Sequence, residues 1–383
     1  MARAALGIST LLDPEEAAEQ ACQRALDRLG ARQLAVALVV GSAAYGPSLS
    51  KVATRSSQLL GAHCVVGGSV EGIVAPGVEV SSYPAVMVLA LSGVEAEPFL
   101  ARDLGGDAAR AGEEVAARVG PDLAPDDLVV VIADLFGLGA SGLVRGLARH
   151  LGPATILGAG ASPTPRGSSL LWQGSEVARD GIAGFVLRGA RPRVAIAQAG
   201  RPVTPLLRVT RARGNWVLAL EGRPALDVYF EAVRKAGLEP ALDKPPPLLA
   251  GLSESNGSQA VLLRNLVGLD PDRAAFSVPE PMASGRLLAF VQLDAATALQ
   301  GFVEQLESLR DPLPVFGLYF NCRARGASLF GEAGVEATRL ADAFGDRPIA
   351  GLISATQLAP LGPGEAPAAL TYAGVLALVD DFG

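Results

Sequence analysis

Three stretches of the chain repeat one pattern: apolar strand, helix closing on Leu-Gly or Phe-Gly, short strand ending in Gly and a small residue, loop, strand. LAVALVVGS (34–42) leads to LLGAHCVVGGS (59–69) and PAVMVLAL (84–91). DDLVVVIADLFG (126–137) leads to PATILGAGAS (153–162) and GIAGFVLRG (181–189). LPVFGLYFNCRARG (313–326) leads to RPIAGLISATQ (347–357) and TYAGVLALVDD (371–381). Strands that are apolar on both faces must be covered on both, and alternating helices supply one cover. The glycine that closes each helix suits a C-cap, where the backbone turns left-handed.

An amphipathic helix precedes each unit. Ala18, Ala21, Cys22, Ala25, Leu26 and Leu29 share one face in the first, Ala108, Ala111, Val115 and Val119 in the second, and Leu299, Phe302, Val303, Leu306 and Leu309 in the third. The 3.6-residue period makes Cys22 a core thiol. Asp13-Pro14-Glu15-Glu16 reads as cap, first helical residue and first-turn acids. Two units lie close together and the third follows a gap, which predicts two pseudo-related domains, residues 1–205 and 206–383. Between them, VTRARGNWVLAL reads as a hairpin around Gly214-Asn215, and Pro224 as a helix start. DKPPPLLAGLSESNGSQ (243–259) reads as a surface loop. The late strands look like hairpins, so the expected class is α/β (α+β): repeated strand-helix-strand-strand units forming mixed β-sheets flanked by helices.

Half of the 383 residues are apolar and 19% are charged, a composition for packed domains and not for disorder. The net charge of −7 is spread without a basic stripe, which argues against nucleic acid as a partner. No apolar run reaches the roughly 18–20 residues of a membrane span, and the start of the chain lacks the apolar core of a secretory signal. Cys22, Cys64 and Cys322 form no disulfide framework. The expectation is a soluble, cytoplasmic protein with no membrane partner.

Metal and nucleotide chemistry find little support. His63 and Cys64 are strand neighbours pointing to opposite faces, and His150 sits in a helix tail. With two histidines and no close cysteine pair, no metal site and no cofactor are expected. The glycine-rich GGSVEG, GAGAS and GLGASG (137–142) fit neither phosphate-binding fingerprint, and the last reads as a tight strand-to-helix turn. No G-x-S-x-G elbow occurs.

What remains is the strand end YFNCRARG. Polar groups appear only where the buried strand emerges, the usual place for a ligand in α/β proteins. Ser42 and Asp134 fill the same position in the first two units. Arg323 and Arg325 would attract an anion and favour the Cys322 thiolate. An inert buried thiol with solvated arginines behind it is the plain alternative.

The tail GLYFNCRARG…VEATRLADAFGDRPIAGLISATQLAP resembles the C-terminal half of the FIST (F-box and intracellular signal transduction) domain, and VVGGSVEGIVAPG resembles its N-terminal half. VTRARGNWVLALEGRPALDVYFE looks like the junction between them. The resemblance covers nearly the whole chain and implies that 1–205 is a FIST N-terminal-like and 206–383 a FIST C-terminal-like domain. It implies an intracellular sensory module that binds a small ligand, an amino acid or related metabolite, and that signals in trans through a protein partner. By matching positions it carries over Cys322, Arg323, Arg325, Gly326, Glu336, Gly67, Gly68, Ser69, Glu71 and Gly72. One departure is Gln357, which stands where the family's turn has an acid.

The expected ligand site therefore combines glycine-rich strand ends with the Arg323/Arg325 pair, and Asn321 and Gln357 as neutral partners. Two other readings stand beside it: an adaptor that binds protein and no small ligand, and an enzyme with Cys322 as nucleophile.

Overall fold

The computed structural model describes residues 1–30, 33–81, 83–120, 122–165, 167–243, 245–253, 262–380 and 382. The first repeat comprises β1 (Arg3–Ser9), α1 (Pro14–Leu29), β2 (Val36–Ser42), α2 (Ser50–Leu60), β3 (Val65–Val70), the hairpin β4 (Gly72–Ala75) and β5 (Val78–Val80), and β6 (Val86–Ser92). The second comprises β7 (Ala96–Arg102), α3 (Ala108–Val119), β8 (Leu128–Ala133), the single turn α4 (Leu135–Leu138), α5 (Ala140–His150), β9 (Thr155–Gly160), the hairpin β10 (Leu171–Gln173) and β11 (Glu176–Ala178), and β12 (Gly181–Leu187).

The third repeat opens with β13 (Arg193–Gln198) and is then interrupted. The interruption carries β14 (Gly200–Pro202), β15 (Leu207–Arg213), β16 (Trp216–Leu220), β17 (Arg223–Pro224), α6 (Ala225–Lys235), β18 (Leu248–Ser253), β19 (Leu262–Asn265), β20 (Gly268–Asp270), β21 (Ala275–Ser277) and β22 (Leu287–Leu293). The repeat resumes with α7 (Ala295–Ser308), β23 (Phe316–Cys322), the short α8 (Ala327–Phe330), α9 (Val335–Phe344), β24 (Ile349–Ser354), the hairpin β25 (Gln357–Pro360) and β26 (Pro367–Leu370), and β27 (Ala373–Val379).

The repeats interlock by exchanging hairpins. Sheets run β1-β6-β2-β3-β10-β11, β7-β12-β8-β9-β25-β26 and β13-β27-β23-β24-β4-β5. Each repeat thus builds four strands of its own sheet and lends its hairpin to another: the first to the third, the second to the first, the third to the second. The central pair of each sheet is parallel and the other described pairings are antiparallel, so the mixed sheets expected of the α/β chain are what form. In those pairs β2, β8 and β23 are buried along their whole length, in keeping with their apolar runs.

The parallel registers align the repeats. Ala37 pairs with Val65, Leu128 with Thr155 and Gly317 with Ile349, so Ser42, Ala133 and Cys322 are equivalent. Asp134 lies one residue further on. It caps α4, its carboxylate accepting from the Gly137 amide at 3.3 Å, so the expected equivalence of Asp134 with Cys322 is off by one position.

The compact units divide the chain differently from a cut at 205/206. One comprises residues 1–197, 302–369 and 373–383; the other comprises 198–301 and 370–372. The physical reason is the hairpin exchange: β4 pairs with β24 and β25 with β9, which ties the third repeat to the first two.

Within the first unit, each sheet buries its helices' apolar stripe as the period requires. Cys22 packs with Ala18, Ala21 and Ala25 against β2 and β6. Asp13 caps α1, accepting from the Glu15 and Glu16 amides, and Gly30 ends it at φ 61°. The second unit forms a nine-stranded sheet over α6, with Tyr229, Phe276 and Phe290 in its core. The Gly214-Asn215 hairpin forms as β15–β16, and α6 starts after Pro224. The stretch read as a loop, 243–259, instead contributes the fully buried β18. Its residues 244 and 254–259 lie outside those described. Apolar β18 pairs with β22 and β19 and is a core strand for that reason.

Candidate functional site

β23 carries the site out of the core. Every residue from Phe316 to Cys322 is buried, and the chain then turns tightly. The Arg323 amide donates to the Ser354 carbonyl at 2.8 Å, and the Arg325 amide to the Cys322 carbonyl at 2.9 Å. Gly326 holds φ 64° and ψ −145°, a conformation that glycine reaches without strain. The turn sends the two arginines opposite ways. Arg323 keeps 61% of its side chain exposed, whereas Arg325 exposes none.

Arg325 is occupied by the protein itself. Its Nε donates to Glu336 Oε1 at 2.9 Å, its Nη2 also reaches Oε1, and its Nη1 donates to the Ala197 carbonyl at 3.2 Å. Asn321 Nδ2 takes the second Glu336 oxygen at 2.9 Å. Glu336 lies in the first turn of α9, where the helix dipole favours a carboxylate. Tyr319, on the same strand, is held as a neutral phenol, its pKa pushed well up by burial first and the Glu336 charge second. The expected ligand contacts of Arg325, Glu336 and Asn321 Nδ2 are thus met inside the fold.

Above this pair opens a pocket of about 190 Å³ lined by Glu71, Glu79, Ser81, Asn321, Cys322, Arg323, Arg325, Gly326, Ala327, Ser328 and Ile353. Arg323 Nη1 stands 3.6 Å from Glu71 Oε2 across its rim. Glu79, on the lent strand β5, accepts from the Gly334 amide at 2.9 Å and so holds the start of α9. Burial first, with the Glu336 charge adding, raises its pKa above the ordinary value, while the Gly334 hydrogen bond opposes the rise. Cys322 is 3% exposed at the pocket wall, its sulfur 3.8 Å from the Ala355 carbonyl. Neither His63 nor His150 is among the lining residues, so no imidazole stands ready to activate the thiol.

The sequence-predicted residues therefore divide. Glu71, Asn321, Cys322, Arg323, Arg325 and Gly326 meet at one pocket. Gly67, Gly68, Ser69 and Gln357 do not. A Cβ on Gly67 would lie 1.7 Å from the Val39 carbonyl oxygen and 3.1 Å from Trp172 Nε1, and one on Gly68 would crowd Ile132 and Leu170. These glycines make room for neighbouring strands and side chains. Ser69 Oγ donates to the Ser162 carbonyl at 2.6 Å and accepts from the Leu170 amide at 2.9 Å, closing the same seam. Gly72 sits at the start of β4, where a Cβ would strike the Val80 carbonyl at 2.3 Å. Gln357 is fully buried on β25, its amide donating to the Ser354 carbonyl at 3.1 Å. Sequence reasoning missed Glu79: GVEVSS looks like loop, and only the β4–β24 pairing brings it beside Gly326.

Among the described residues no helix is long and apolar enough to cross a membrane, and no three His, Cys, Asp or Glu side chains cluster as metal ligands.

Comparison with known proteins agrees with the resemblance seen in the sequence. A FIST N domain model matches residues 35–223 and a FIST C domain model matches 225–360. An uncharacterized protein of Mycobacterium tuberculosis is 28% identical over 94% of this chain and 95% of its own length. An uncharacterized protein of Mycobacterium bovis is 28% identical over 99% and 100%. Among solved structures, cyanuric acid hydrolase from A. caulinodans aligns over 49% of this chain and 70% of its own, with a TM-score of 0.29 and 12% identity.

Proposed function

The chain belongs to the FIST family, whose domains are generally sensory and signal-transducing, and from that premise we propose that it senses a small zwitterionic metabolite of amino-acid type in the Arg323 pocket. The observation that carries this reading is the juxtaposition of carboxylates and a guanidinium around one small cavity. Glu71 and Glu79 suit an ammonium group, Arg323 suits a carboxylate, and Ser81 and Ser328 add neutral hydroxyls. At about 190 Å³ the pocket falls below the roughly 300–1,000 Å³ of drug-sized sites, which limits the ligand to amino-acid dimensions. Glu79, on the lent hairpin, gives the pocket its second acid beside Glu71. Binding would tie β5 to the turn after β23, and a signal would pass in trans to a protein partner in the cytoplasm.

Isothermal titration and thermal-shift screening of α-amino acids, ω-amino acids, amines and plain carboxylates test this. Zwitterions should bind and the single-charge analogues should not, with Arg323→Ala and Glu71→Gln each weakening binding about tenfold, the worth of one charged hydrogen bond. Silence across the whole panel would count against the reading, as would binding that ignores both substitutions.

A further inference from the structure

A second and larger cavity, of about 720 Å³, lies along the outer edge of β1 and is not part of the Arg323 pocket. One wall is β1 with Arg24 and Arg28 of α1; the other is the β4–β5 turn (Ala75, Pro76, Val78) and the Asp346-Arg347-Pro348 turn that enters β24. We propose that this cleft is a binding site for a small, multiply charged oxyanion, a phosphate ester or polycarboxylate, in which three guanidiniums and the outward-facing amides of β1 supply the donors.

β1 pairs only with β6, so its other side is open. Arg24 and Arg28, one helical turn apart, reach over that edge: Arg24 Nη1 donates to the Ile8 carbonyl at 2.5 Å, and Arg28 Nη1 to the Leu6 carbonyl at 2.8 Å. In an antiparallel strand the N–H and C=O of one residue point to the same side, so the Leu6 and Ile8 amides face outward with those carbonyls. The Leu6 and Ile8 acceptors of the edge are therefore taken while the donors beside them face the cleft. A peptide strand adding here would need both, and the arginine caps remove half of what it requires. A ligand made of acceptors needs only what is left.

The charge agrees with that selection. Arg24, Arg28 and Arg347 are exposed, and among the described residues none of the three sits in an ion pair. Asp346 is the single acid in the lining. The geometry is built and not incidental, because Gly7 lets α1 approach: a Cβ there would lie 2.0 Å from the Ala21 carbonyl oxygen. That close approach sets Arg24 and Arg28 over β1. The volume suits a metabolite of ordinary size.

Pyrophosphate and citrate are the probes, titrated calorimetrically at low ionic strength with glucose and spermidine as neutral and cationic controls. One of the two anions should bind saturably at 1:1, more weakly as salt is added. Arg347→Gln, at a side chain that makes no hydrogen bond among the described residues, should weaken it about tenfold or more. The double variant Arg24→Gln/Arg28→Gln should weaken it further, and Arg323→Ala should leave it unchanged. Preference for pyrophosphate or for citrate identifies the anionic group. No saturable binding of either anion overturns the proposal. So does binding that survives Arg347→Gln but is lost in Arg323→Ala, which would place the anion in the smaller pocket.

Discussion

Arg325 and Glu336 form a buried ion pair, their side chains 0% and 1% exposed, joined at Nε–Oε1 by 2.9 Å and completed by Asn321 and the Ala197 carbonyl. Burying such a pair gives little net stability, but breaking it strands a charge in low dielectric. Arg325→Met should therefore destabilise by about 3–5 kcal/mol, and Arg325→Met/Glu336→Leu should recover much of that loss. Exposed Arg323→Ala should stay within about 0.5 kcal/mol of the parent. Urea denaturation measures all three. A loss for Arg325→Met no larger than that for Arg323→Ala would show that the pair is not what holds the turn.

Gly67 separates a packing role from a ligand role. With the Val39 carbonyl oxygen 1.7 Å from where its Cβ would sit, Gly67→Ala must push β3 away from β2 and Trp172. Overpacking of this kind costs about 3 kcal/mol, and ligand affinity of the folded fraction should be unchanged. A stable Gly67→Ala protein that had lost only binding would return this glycine to the ligand site.

The strands, helices and threefold pattern were legible because periodicity is local. VALVVGS and LVVVIA form two-sided buried strands as their apolar runs require, although the DLFG that follows the second turns into α4, and Asp13-Pro14-Glu15-Glu16 starts a helix. The hairpin exchange was not legible. Pairing of Ile73 with Leu352 joins residues far apart in the chain, and nothing in either short strand names its partner. That one fact moved the unit boundary and hid Glu79. At YFNCRARG the sequence marked the place but not the direction of the side chains. Arg323 and Arg325 share parity, yet the turn after Cys322 breaks the strand, so one faces solvent and the other Glu336.

The three thiols should differ in reactivity. Burial pushes Cys22 and Cys64 up to about 11, and both lie at 0% exposure in the first repeat's core. The thiolate is the reactive species, so iodoacetamide near pH 8 should leave these two unmodified in the native protein. Cys322 borders the Arg323 pocket and should label first, more slowly when a zwitterionic ligand is bound. Mass spectrometry of digested samples reads the order. Labelling of Cys22 at the rate of Cys322 would contradict it.

Glu79 couples the pocket to pH, and the sign follows from its environment. Its folded-state pKa lies above the ordinary 4.5, chiefly through burial. A carboxylic acid whose pKa rises on folding favours the folded state most when protonated. That contribution is complete below the unfolded pKa and is lost as pH climbs through the raised folded value. Other carboxylates titrate in the same range, so the difference between parent and Glu79→Gln isolates the effect. Relative to the variant, whose amide oxygen still accepts from Gly334, the parent should lose stability as pH rises from about 4 toward neutrality. An ammonium group seated beside Glu79 would reverse the penalty, so ligand affinity should increase with pH over the same window and binding should release a proton. Titration in two buffers of different ionisation enthalpy measures that proton. A parent and Glu79→Gln variant with parallel stability profiles, and binding with no proton released, would remove Glu79 from the recognition of the ligand's cation.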